Sequence, residues 1–86
     1  MVTEDDKIQR TLLRKMFYHE FIGAKHTSID NLPKGFPGDK KKKILKVVNT
    51  LIKEGYFILK PKPDSLHVSL NPKMLKKIRD IIKATE

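Results

Sequence analysis

Residues 39–60 read DKKKKILKVVNTLIKEGYFILK, and the fold turns on how this stretch is parsed. Ile44, Val47, Val48, Leu51 and Ile52 recur at helical spacing, so a helix over about 39–54 gathers them on one face. Asp39 is a good N-cap for it, and Gly55 is its C-terminal stop. Past Gly55 the period changes from 3.6 to 2, and Tyr56-Phe57-Ile58-Leu59-Lys60 reads as a strand. One local rule is broken. A helix N-terminus carries partial positive charge and favours acids in its first turn, yet Lys40, Lys41, Lys42 and Lys43 stand there. The expected compensation is an anion, a nucleic-acid phosphate above all, held by these lysines and the first backbone N–H groups. The face opposite the apolar one carries Lys42, Lys43, Lys46, Asn49, Thr50 and Lys53, with no acid among them.

Working outward, Leu66-His67-Val68-Ser69-Leu70 is a second strand, joined to the first by Pro61-Lys62-Pro63-Asp64-Ser65. That linker is too short for a crossover, so the pair is an antiparallel hairpin with a stiff, basic tip. Leu66, Val68 and Leu70 are expected on its buried face, with His67 and Ser69 on the other. Asn71 caps a final helix that has Pro72 at its first position and a stripe of Met74, Leu75, Ile78, Ile81 and Ile82. Upstream, Thr3 caps a helix over about Glu4 to Phe21 whose first turn is acidic and whose apolar face is Ile8, Leu12, Leu13, Met16, Phe17 and Phe21. Gly23 is expected to end it. Between these lie a brief extended piece near 24–27 and a short helix that Thr27 and Asp30 open at capping-box spacing and Pro33 curtails. Phe36 is expected to plug the core.

The chain has 86 residues, 38% of them apolar, which suits one small globular domain with residues 1–3 and 84–86 frayed. There is no cysteine, so disulfides and thiolate metal sites are excluded. No run approaches the length of a membrane span, and the acidic start does not resemble a secretory signal, so a soluble cytoplasmic protein is expected. Between residues 39 and 79, twelve Lys or Arg face three acids, and this half holds the whole net charge of +9. Such asymmetry points to an anionic partner. A solvated lysine-rich surface is the alternative.

The order helix, extended piece, short helix, long amphipathic helix, hairpin, helix resembles the winged helix-turn-helix superfamily over roughly residues 4–85. Ser28-Ile29-Asp30-Asn31-Leu32 and the passage from Asp39 through Lys60 carry the resemblance most specifically, and Val68-Ser69-Leu70-Asn71-Pro72 resembles small archaeal proteins of this kind. It implies an α+β fold, a three-helix core with a β-hairpin wing and a C-terminal helix. It also implies a double-stranded DNA-binding module, helix 39–54 in the major groove and wing 60–65 on the backbone, in a transcriptional regulator of the nucleoid. Carried over by position, Lys40, Lys41, Lys42, Lys43, Lys46, Asn49, Thr50 and Lys53 face DNA, and Lys60 and Lys62 serve the wing. Asn49 is the base reader, since its amide can bond adenine bidentately, whereas lysines position without specifying. Arginine is missing from the helix, so sequence specificity should be modest. RNA or an acidic protein in a larger assembly is the alternative partner. An exposed part of the apolar face of the first or last helix would allow a homodimer that pairs two recognition helices across about one turn of duplex. Leu13, Phe17 and Tyr18 are its contributors, with core packing as the alternative for Leu13 and Phe17.

Catalytic signatures are not found. Neither a phosphate-binding Gly-rich loop nor a nucleophile elbow occurs. His19-Glu20 begins like a zinc-protease helix, but Gly23 stands where the second ligand belongs. His19, His26 and His67 fall in different elements. The expectation is a binding module with no cofactor and no metal.

Overall fold

The computed structural model describes residues 3–36, 38 and 40–84. Helix α1 spans Glu4–Tyr18, strand β1 Thr27–Ser28, helix α2 Lys41–Lys53, β2 Phe57–Pro61, β3 Leu66–Leu70 and helix α3 Leu75–Lys83. Short 3-10 turns at Ile29–Asn31 and Pro72–Met74 precede α2 and α3. The sheet is antiparallel with order β1-β3-β2, and its register sets Phe57 opposite Leu70, Lys60 opposite His67, and Ser28 opposite His67 on the other edge. One core joins the layers. Leu12, Leu13 and Met16 of α1, Ile44, Val48 and Leu51 of α2, Val68 and Leu70 of β3 and Ile78 of α3 are all essentially inaccessible. No helix among the described residues is long and apolar enough to cross a membrane.

The helix ends show why the elements stop where they do. Thr3 and Asp6 form a capping box, with Asp6 N–H donating to Thr3 Oγ1 at 3.1 Å and Thr3 N–H to Asp6 Oδ2 at 3.2 Å. At the other end α1 is shorter than the expected span to Phe21. Glu20 takes a left-handed conformation at φ 59°, and Phe21 N–H reaches back to the Met16 carbonyl at 3.0 Å while Glu20 N–H bonds Phe17 at 3.1 Å. This is a Schellman cap with a glutamate where glycine is favoured. The same motif closes α2 with Gly55 at φ 85°, its next residue Tyr56 bonding the Leu51 carbonyl at 3.0 Å. Glu20→Gly should therefore relieve αL strain and raise stability by about 0.5–1 kcal/mol. A thermal midpoint higher by several degrees is expected, and an unchanged or lower one would mean that Glu20 carries no strain.

Three other expectations are revised. Ser28, not Thr27, caps the short turn, accepting from Asp30 N–H at 3.2 Å, and the turn is 3-10 rather than α because Pro33 follows so soon. Its rigidity comes from elsewhere: Leu32 is buried, and Lys15 Nζ of α1 donates to the Asn31 and Lys34 carbonyls at 3.3 and 3.0 Å. Leu66, expected on the buried face, is 52% exposed because the hairpin runs beyond the helical layer. Ser69, expected outside, is fully buried. The Lys60 side chain crosses β3 from β2 to reach the Gly23 carbonyl on the far side, so it lies over the face that carries Ser69, and Leu70 is paired at the strand edge by backbone hydrogen bonds to Phe21 and Gly23. Phe36 is half-buried and packs against the core as expected.

Candidate nucleic-acid interface

Helix α2 is held by its apolar face against α1 and β2, which fixes what it shows to solvent. Ile44, Val47, Val48 and Leu51 are buried, with Ile52 packed beside them. At 100° per residue the opposite ridge is Lys42, Lys46, Asn49 and Lys53, and all four are exposed. Among the described residues no carboxylate lies within ion-pair distance of Lys41, Lys42, Lys46 or Lys53. From Lys42 to Lys53 this ridge is about 16 Å long at 1.5 Å per residue. An α-helix with its side chains is about 10–12 Å across, a match in size to a major groove about 12 Å wide.

The first turn is different from its expected form. Lys40 stands at the N-cap position with no side-chain capping bond, and α2 begins at Lys41; the Asp39 cap lies outside the described residues. The acidic start of α1 lies beside this turn. Glu4 bridges two lysines, Oε1 to Lys40 Nζ and Oε2 to Lys43 Nζ, both at 3.0 Å, and Asp5 Oδ1 is 4.0 Å from Lys43. Hydrogen bonds from Lys43 and then Lys40 hold the Glu4 carboxyl below its usual range, and the bond to Glu4 raises the Lys43 ammonium. The compensation for four lysines is thus partly internal. Only Lys41 and Lys42 of the four keep their charge free of carboxylate partners among the described residues.

One flank of α2 is also less cationic than the sequence suggests. Lys46, Val47 and Thr50 face Asp5 and Asp6 across the groove between α1 and α2, and Glu54 at the end of α2 lines the same groove. Thr50 spends its hydroxyl proton on the Lys46 carbonyl at 3.2 Å. A polyanion is repelled from that groove and directed toward the outward ridge. Glu4→Gln should release Lys40 and Lys43 and tighten duplex binding about two- to fivefold, the range of an exposed ion pair. The salt dependence should steepen by about 0.9 for each lysine that then reaches a phosphate. Weaker binding in Glu4→Gln would mean that the pair positions the helix instead of restraining its lysines.

On the hairpin, Lys62 is exposed at the tip, where its backbone N–H closes the turn on the Ser65 carbonyl at 2.9 Å. Lys60, expected on the wing surface, has its ammonium turned inward to the Gly23 carbonyl. Sequence reasoning missed a contact here. His26 Nδ1 and His67 Nδ1 are 2.9 Å apart, their rings in T-shaped contact. A pairing of residues 41 positions apart leaves no local signature, since it follows only from β1 lying beside β3. Among the described residues no group of three or more His, Cys, Asp or Glu could hold a metal ion.

No protein-family model matches the chain, and no curated protein matches it significantly. Two solved structures are similar in fold. One is a possible transcriptional regulator for arsenical resistance, with a TM-score of 0.63 and 16% identity over 98% of this chain and 85% of that one. The other is TubR of type III plasmid segregation, with a TM-score of 0.61 and 14% identity over 95% of this chain and 83% of that one. Identity this low speaks for architecture alone. With three helices, a three-stranded antiparallel sheet and a β2–β3 wing, the chain has the winged helix-turn-helix fold.

Proposed function

We propose that this domain binds double-stranded DNA, with α2 directed into the major groove and the Lys62 wing against the adjacent backbone, as part of a transcriptional regulator or related DNA-organising factor. It is a binding module and not an enzyme. The observation that carries the reading is the exposed, acid-free ridge of Lys42, Lys46, Asn49 and Lys53 on a helix anchored by its other face. Lysines there contact phosphates, while Asn49 is the residue suited to read a base edge. Specificity is modest, because a single amide and no arginine stand on the ridge.

Fluorescence anisotropy with a random duplex, the matching single strand and an RNA hairpin at equal salt tests the proposal. Duplex preference is expected, with a log–log salt slope near −4 from about four to five neutralised phosphates. Preference for RNA, or weak binding with a flat salt response, would contradict it. A protein partner is the second reading, and one surface favours it. Tyr18 is 62% exposed, and it lines a groove with Phe17, Arg79, Ile82 and Lys83 between α1 and α3, away from the ridge.

A further inference from the structure

The sheet face turned away from the helices carries a polar cluster that the duplex-binding reading does not use. Its members are His67 and Ser69 of β3, Lys60 opposite His67 on β2, and His26, which immediately precedes β1. The two imidazoles are half-buried and converge at 2.9 Å through their Nδ1 atoms. That bond requires one Nδ1–H to donate and the other Nδ1 to keep its lone pair, so the pair as seen cannot be doubly protonated. Ser69 Oγ, fully buried on the same face, has no hydrogen-bond partner among the described residues.

We propose that His26 and His67, with Lys62, form a second phosphate-binding site beside the tip of the wing, which takes up one backbone phosphate of the duplex together with one proton. The proposal rests on the duplex-binding reading and adds a contact to it. The proton comes from solvent and adds to the accepting Nδ1. The Nδ1–H···Nδ1 bond then breaks, and both rings can donate Nδ1–H to oxygens of the same phosphate. Electrostatics selects an anion over a metal ion. Desolvation, then Lys62, His67 and Lys60, hold His26 below its ordinary range, and no carboxylate offsets them. Lys25 on its own segment adds a further cation nearby in sequence, while Asp30 of the 3-10 turn and Asp64 of the wing tip exert no counteracting pull on His26. The Lys62 and Lys60 charges repel a divalent cation as they repel a proton, and a bound phosphate offsets them.

The sign of the linkage follows. Free protein keeps His26 neutral down to below about pH 6.5, whereas the phosphate complex favours the charged form, so affinity rises as pH falls through that window. Duplex anisotropy titrations between pH 7.5 and 5.5 at fixed ionic strength test this, alongside histidine-resolved NMR titrations with duplex or with inorganic phosphate. Wild type should gain about tenfold in affinity across the range, His26→Gln less than about twofold relative to its own value at pH 7.5, and His19→Gln as much as wild type. The His26 and His67 resonances should move with duplex. Duplex binding with a flat profile in wild type would overturn this proposal alone, and absence of duplex binding at every pH would overturn the proposed function as well. Response of the histidines to inorganic phosphate but not duplex, or tight Zn2+ capture that blocks duplex binding, would likewise overturn it.

Discussion

Lys46→Glu should weaken duplex binding by roughly fifty- to hundredfold at about 0.1 M salt. The magnitude follows from counterion release. One phosphate contact changes log K by about 0.9 per decade of salt, so between 1 M and 0.1 M a single lysine is worth roughly eightfold, and reversing its charge roughly doubles the logarithm. Lys46 is chosen because it is exposed near the middle of the ridge and has no ion-pair partner among the described residues. Loss should be uniform across sequences, with the salt slope shallower by about one or more. Asn49→Ala should do the opposite, leaving the slope alone and changing preference among sequences. Lys46→Glu places a carboxylate beside Asp5, Asp6 and Glu54, so a thermal melt of the variant must accompany the titration. A folded Lys46→Glu protein that binds duplex as wild type does would remove α2 from the interface.

Leu51→Ala should cost about 3 kcal/mol, a large part of the stability of a domain this small. Leu51 is completely inaccessible, and its carbonyl receives the Tyr56 N–H that closes α2 into β2. Truncation leaves a cavity between α2 and its supports without touching the ridge. The thermal midpoint should fall by about 12–24 °C. Duplex affinity measured well below the new midpoint should keep its salt slope, because binding to the folded state is unaltered and only mass action intervenes. A flattened slope in folded Leu51→Ala would show that presentation of the ridge depends on core packing at this position. Such a result would tie recognition to rigidity rather than to charge.

How legible these features are in the sequence depends on the range of the interactions that cause them. The core of α2, its stop at Gly55 and the hairpin are written in periodicity and local turn chemistry, and the structure bears them out. Asn71 does cap, but it caps the 3-10 turn Pro72–Met74, and the final α-helix starts only at Leu75. Even the end of α1 has a local cause, but Glu20 conceals it by holding a conformation that favours glycine. Ser69 and Lys60 are misplaced by the strand pattern because alternation assigns one wet face, and here the Lys60 side chain lies across that face to reach the Gly23 carbonyl. The pairing of Glu4 with Lys40 and Lys43 joins two helix starts far apart in the chain. Either helix start alone gives no sign of the other. Taken by itself, the run of four lysines calls for an external anion; beside α1, half of that demand is met within the fold, and the exposed ridge further along α2 becomes the stronger part of the interface.

The most direct measurement is amide chemical-shift mapping of the labelled protein during titration with a short duplex. Perturbations are expected at Lys42, Lys46, Asn49 and Lys53 and at the wing amides of Lys62, Asp64 and Ser65, with little change at Phe17, Tyr18 and Arg79 in the α1–α3 groove. Shifts confined to the α1–α3 groove, or no shifts along α2 at saturating duplex, would contradict the account.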